Sequence, residues 1–156
     1  MRLLLMRHGE ASFNAPTDAQ RPLTQSGSAA VIKQSHKAAV PWHEFTRLWA
    51  SPYVRAQQTA NLLQQHVAHN KHPLNVQSLD CITPHGDLIQ VQNFLLEQAH
   101  EDIILVTHQP LISALIGHFC YSDQHLGDPM MPASMALLEG EVAAVGCLTL
   151  THLFHS

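Results

Sequence analysis

Apolar positions along the chain fall into runs of two lengths. Short runs of strand length, "RLLLM" (2–6), "RLWAS" (47–51), "NVQSL" (75–79) and "IILVT" (103–107), alternate with "LTQSGSAAVIKQSHKAAV", "PYVRAQQTANLLQQHVA" and "DLIQVQNFLLEQAH", which repeat at helical spacing. Such alternation builds a parallel sheet with helices on its faces. A fourth helix is predicted from Pro110 to Phe119. After a loop rich in Pro, Gly and Asp (123–133), "SMALLEG" and "GCLTLTHLF" read as a late pair of strands, one or both at the sheet edge. In "SPYVRAQQTANLL", Ser51 fits a helix N-cap and Pro52 the first helical position. The expected fold is a single α/β domain over 1–156: a three-layer α/β/α sandwich with a mostly parallel sheet, an antiparallel edge strand and no cap domain.

In sheets of this class the loops leaving the carboxyl ends of the strands converge on one rim, where ligands bind. Arg7 and His8 leave the first strand, Ser51 and Arg55 follow the second, and His108 closes the fourth in "ILVTHQP". They are far apart in sequence and are expected to share an edge in space.

Composition narrows the field of ligands. Eight Lys and Arg stand against twelve Asp and Glu, a net charge of −4, and the basic residues are scattered, so nucleic acid is not an expected partner. The opening run from Leu3 to Met6 is too short for a signal-peptide core, no segment approaches a membrane span, and no membrane partner is expected. Three widely spaced cysteines, Cys81, Cys120 and Cys147, form neither a zinc pattern nor an even disulfide framework; free thiols in the cytoplasm are the simpler reading. Thirteen histidines raise the question of a metal. His66, His69 and His72 recur at steps of three, yet no Cys or carboxylate joins them at ligand spacing, and a solvated helix end is the plainer account. No metal and no cofactor is expected.

A rim with two histidines, several arginines and helix amino termini pointing into it suits a phosphate dianion. Arg7 and Arg55 are candidate clamps, Arg21 in "AQRPLTQSG" could reach the site from the next loop, and Gly9 would let backbone approach the anion. His8 is the candidate nucleophile: a neutral imidazole whose second nitrogen is held by a carbonyl can attack phosphorus and form a phosphohistidine. Arg7, Arg55 and a protonated His108 would then stabilise charge on the equatorial oxygens. Taken singly, "RHG" is a short motif, His108 could be a strand-end histidine satisfied by backbone, and Arg55 a solvated helix residue; their joint placement at strand ends carries the inference.

The stretch "LLLMRHGEA" resembles the signature of the histidine phosphatase superfamily, the group that includes phosphoglycerate mutases and acid phosphatases. "RPLTQSG", "ASPYVRAQQTA", "ITPHGD" and "VTHQPL" follow in the order, and at nearly the spacing, of its small bacterial phosphohistidine phosphatases of the SixA type, over roughly residues 1 to 120. The resemblance implies His8 as the phosphorylated nucleophile, Arg7, Arg55 and His108 as the rest of the phosphate pocket, and Arg21 as a contact particular to the small branch. Mutase-like relatives also bind phosphate through an asparagine six residues after the nucleophile, where Asn14 stands here.

One departure bears on the substrate. Relatives usually carry a carboxylate proton donor after the third strand, and Cys81 occupies that place, with Asp80 and Asp87 as neighbouring substitutes and Glu10 as a further acid candidate. An alkoxide leaving group needs a general acid, an aid worth about 10²- to 10⁴-fold, whereas the imidazole of a phosphohistidine leaves readily once protonated. The chain also leaves no length for the helical insertions that roof the site in relatives acting on small metabolites. The expected activity is therefore a metal-independent phosphohistidine protein phosphatase in signal transduction, a monomer whose partner is a histidine-phosphorylated phosphotransfer domain or phosphocarrier protein. Alternatives left open are a phosphomonoesterase or mutase-like enzyme on small esters with Asp80 or Asp87 as acid, a non-hydrolysing phosphate-binding regulatory module, and a histidine-rich metal protein.

Overall fold

A computed structural model describes residues 1–67, 73–98 and 100–156, and these described residues form ten principal elements. They are β1 (Arg2–Arg7), α1 (Gln25–Ser35), β2 (Arg47–Ala50), α2 (Val54–His66), β3 (Val76–Ser78), α3 (Leu88–Glu97), β4 (Ile103–Thr107), α4 (Leu111–Tyr121), β5 (Met135–Gly140) and β6 (Leu148–Phe154). One six-stranded sheet runs in the order β3-β2-β4-β1-β5-β6. The first four strands in that order are mutually parallel, and β5 pairs antiparallel with both β1 and β6. This is the single-domain α/β architecture expected, with a mostly parallel sheet and an antiparallel pair at one edge.

β1 sits inside the sheet, and its side chains alternate between two cores. Leu3 and Leu5 pack with Val91 and Leu95 of α3 and Leu111, Leu115 and Phe119 of α4. Leu4 and Met6 face the opposite way, onto Val31 of α1 and Ala56, Ala60 and Leu63 of α2. Both faces of β1 are thus buried, which is why "LLLM" is continuously apolar.

Local chemistry sets the helix starts. Thr24 caps α1, its side chain accepting from the Gly27 amide, and Asp87 caps α3, accepting from the Ile89 and Gln90 amides. Ser51 does not cap α2 as its sequence suggested: the N-cap is Tyr53, and the Ser51 hydroxyl lies 2.7 Å from Nε2 of His108 instead. The first three predicted helices are shorter than expected, α1 stopping at Ser35 because the chain turns there toward buried Val40 and Trp42, whereas α4 starts one residue later than predicted and runs two residues past Phe119. β3 is only three residues long and largely exposed, as befits the parallel edge strand.

Candidate active site

The carboxyl ends of β1, β2 and β4 and the start of α2 converge on a cleft of about 430 Å³. Arg7, His8, Glu10, Asp18, Arg21 and Arg55 line one part of it together with Ala11 and Phe13, and Pro84, His85, Gln109, Pro110 and Pro132 line the rest.

His8 is 7% exposed and held at both ring nitrogens. Nδ1 lies 2.7 Å from the Gly9 carbonyl oxygen, an acceptor, so Nδ1 carries the proton and Nε2 keeps a lone pair. That lone pair accepts a 3.1 Å hydrogen bond from Nε of Arg55. Burial pushes the His8 pKa down to about 4, with Arg55, Arg7 and Arg21 adding to the effect and the Gly9 bond opposing it. At neutral pH His8 is an uncharged imidazole of one defined tautomer, the state a nitrogen nucleophile requires.

The loop bearing His8 is fixed from three sides. The His8 amide donates to the Thr107 carbonyl, the Gly9 amide donates to Oγ1 of Thr59 on α2, and the Ala133 amide donates to the Arg7 and His8 carbonyls. Gly9 itself packs against α1: a Cβ there would stand 2.8 Å from the Gly27 carbonyl oxygen. Its missing side chain therefore makes room for a helix backbone, rather than for the approaching anion that its sequence context suggested.

His108 is 1% exposed, its ring centroid 4.9 Å from that of His8, with Nε2 on Ser51 and Nδ1 buried without a partner. Burial, then the charges of His8 and Arg55, drive its pKa down to about 2. The sequence suggested a protonated His108. It is neutral, because burial and the neighbouring guanidinium groups of Arg55 and Arg7 outweigh the opposing charge of Asp18.

The arginines reach the cleft from different elements. Arg7 donates from Nη1 to the Met130 carbonyl at 2.6 Å, while its buried Nε has no partner. Arg55, 4% exposed, donates from Nη1 to the Asp18 carbonyl (2.6 Å) and from Nη2 to Oδ2 of Asp18 (3.2 Å). Arg21 donates from Nε to the Ser12 carbonyl, from Nη2 to the Ala11 carbonyl and from Nη1 to Oδ1 of Asp18 (3.0 Å), with its guanidinium over the Phe13 ring at 3.9 Å.

Arg7, His8, Arg55 and Arg21 are thus brought together, with His108 beside them. Other sequence candidates are not. Asn14 is exposed and lies outside the cleft lining. Asp80 is exposed and also absent from the lining, and Asp87 is occupied as the cap of α3 and faces a separate surface hollow with His118. Neither is placed to protonate a leaving group, because the turn at 80–82 directs this segment past the cleft and only Pro84 and His85 reach it. Glu10 does line the cleft, but its Oε1 accepts from Thr24 and Ser26 at the start of α1. Sequence reasoning missed Asp18 and His85 as site residues, and it placed Ser51 at the rim without the bond to His108. Among the described residues no cluster of three or more His, Cys, Asp or Glu is arranged to hold a metal; His69 and His72 lie outside them.

A buried neutral histidine among three arginines, at the carboxyl edge of a parallel sheet, is an arrangement suited to holding a phosphoryl group beside a nitrogen lone pair. The chain belongs to the histidine phosphatase superfamily (branch 1), whose family model matches residues 3–78. It is 29% identical over 123 residues to the phosphohistidine phosphatase SixA of Escherichia coli (strain K12), covering 77% of this chain and 74% of that one. It is 30% identical over 127 residues to the phosphohistidine phosphatase SixA homolog of Haemophilus influenzae (strain ATCC 51907 / DSM 11121 / KW20 / Rd), covering 74% and 75%. The fold superimposes on the solved structure of the protein histidine phosphatase SixA complexed with tungstate, with a TM-score of 0.86 and 23% identity over 99% of this chain and 97% of that one.

Proposed function

We propose that the chain is a phosphohistidine phosphatase that dephosphorylates a protein through a phospho-His8 intermediate. The observation that carries this reading is a cleft with a prepared nucleophile and no disengaged carboxylic acid: Asp18 is paired with two arginines and Glu10 is bonded at α1. Such a site favours a leaving group that departs without a carboxylic acid beside it, and the relatives named phosphohistidine phosphatases agree with that choice.

In the first step Nε2 of His8 releases its hydrogen bond from Arg55 and attacks phosphorus. The bond between phosphorus and the substrate imidazole nitrogen breaks, and that nitrogen takes a proton from water. The freed Nε–H of Arg55 turns to a phosphoryl oxygen. The unpartnered Nε of Arg7 and Nδ1 of His108 are the buried polar atoms that the other oxygens satisfy, and the dianion raises the proton affinity of His108 as it arrives. Water then attacks phospho-His8, returning neutral His8 and inorganic phosphate. The positive guanidinium groups stabilise the loose transition state of both steps.

The partner we expect is a histidine-phosphorylated phosphotransfer domain or phosphocarrier protein, approaching a monomer in the cytoplasm. Three free cysteines fit a reducing compartment, and among the described residues no helix is long and apolar enough to cross a membrane.

The test is phosphate release, in excess EDTA, from a phosphohistidine-bearing phosphotransfer protein and from p-nitrophenyl phosphate, by wild type and His8→Ala. Fast release from the protein that depends on His8, with slow release from the ester, is expected. Release mainly from the ester, or full turnover by His8→Ala, would overturn the reading, and activity restored by Mg²⁺ after EDTA would overturn the metal-free mechanism.

A further inference from the structure

Asp18 has no part in the steps above, yet its carboxylate occupies the cleft side of two of the three arginines. Oδ1 accepts from Arg21 at 3.0 Å and Oδ2 from Arg55 at 3.2 Å. The Arg21 hydrogen bond, followed by that from Arg55, holds its pKa below the usual carboxylate range, so it is an anion at neutral pH. It stands among the cationic groups that a phosphoryl dianion needs.

The arginines do not depend on this carboxylate for their place. Arg55 is also fixed by the Asp18 backbone carbonyl at 2.6 Å and by Nε2 of His8, and its side chain is 5% exposed. Arg21 is also fixed by the Ser12 and Ala11 carbonyls and by the Phe13 ring. The Asp18 side chain, by contrast, is 57% exposed, so it can turn into solvent at small desolvation cost. Glu10, the other cleft carboxylate, makes no ion pair with these arginines and does not share the role.

We propose that the Asp18 carboxylate is a resident competitor for the phosphate cradle: it neutralises Arg21 and Arg55 while the cleft is empty, yields to the incoming phosphoryl group, and returns to speed release of inorganic phosphate. Asp18 is then an affinity-setting residue of the cleft. The role rests on the phosphatase reading, since it presumes a phosphoryl group between these arginines.

The discriminating variant is Asp18→Asn, which keeps the shape of the side chain and one acceptor oxygen, turns an amide NH2 to the second arginine, and removes the charge. Binding of inorganic phosphate to the full chain is measured by calorimetry for wild type and variant, with steady-state hydrolysis of p-nitrophenyl phosphate alongside. A gain of one exposed ion pair's worth of competition corresponds to phosphate binding about threefold to fivefold tighter in Asp18→Asn, with KM lowered by a similar factor and kcat not raised. Equal or weaker phosphate binding by the variant, with wild type binding normally, would overturn the competitor role, because an orienting carboxylate predicts loss rather than gain. Failure of both proteins to bind phosphate would overturn the phosphatase reading itself, and this role with it.

Discussion

The depressed pKa of His8 makes the stability of the protein depend on pH in a way that one substitution should remove. An unfolded histidine titrates near 6.5, and burial brings His8 to about 4, so between those values the unfolded chain binds more protons than the folded one. Stability is therefore fully present above pH 6.5 and is lost as pH falls toward 4. Integrating the linkage relation across that interval gives a loss of about 1.4 kcal/mol by pH 5.5 and about 3 kcal/mol by pH 4 from His8 alone. His108 is depressed by the same crowding and acts in the same direction. In His8→Asn the side-chain amide can still donate to the Gly9 carbonyl, but nothing at that position titrates. Urea unfolding followed by circular dichroism, repeated from pH 4 to 7, yields the stability at each pH. The wild-type curve should fall about 3 kcal/mol further than that of His8→Asn, since the carboxylates common to both proteins cancel in the difference. Parallel curves would refute the reasoning and would mean that His8 takes up its proton at the same pH in the folded protein as in the unfolded chain.

Ser51→Ala removes the hydroxyl that holds Nε2 of His108, leaving both nitrogens of a buried ring without protein partners; kcat/KM for phosphate release should fall about tenfold to a hundredfold and the melting temperature by about 2–10 °C, and an unchanged rate would detach His108 from the reaction. Gly27→Ala places a Cβ 2.2 Å from the Glu10 carbonyl oxygen, a backbone atom that moves only if the His8 loop moves, so thermal unfolding should show a loss of about 1–3 kcal/mol together with reduced turnover, and wild-type stability would show that the loop yields freely.

Much of the fold was legible because each element carries its own local signal. The alternation of short apolar runs with helical stretches gives all six strands and four helices, and placing Arg7, His8, Ser51, Arg55 and His108 at strand ends brings them to one rim. What escaped depends on how loops are folded. Asp18 meets Arg55 across 37 positions, a contact made by the path of the 11–21 loop, and no pattern in "NAPTDAQRPL" announces it. Ser51 sits where a helix cap is commonly found, and only the approach of β4 shows that its hydroxyl serves His108. The case of Asp87 is different, since a signal was present: an aspartate directly before "LIQVQNFLL" is an N-cap pattern, and that local role outweighs its nearness to the expected position of an acid.

The place of β1 in the sheet has a consequence for how the protein comes into being. The strand that leads into His8 is made before the other five strands of its sheet, yet its neighbours on either side are β4 and β5, more than 90 positions later. Until β5 has emerged β1 has only one of its two partners, and the Ala133 amide that binds the Arg7 and His8 carbonyls lies directly before that strand. Nascent chains should thus be catalytically silent until β5 has paired, and the apolar run "LLLM" must wait, shielded by a chaperone or by transient collapse, for strands made more than 90 positions later.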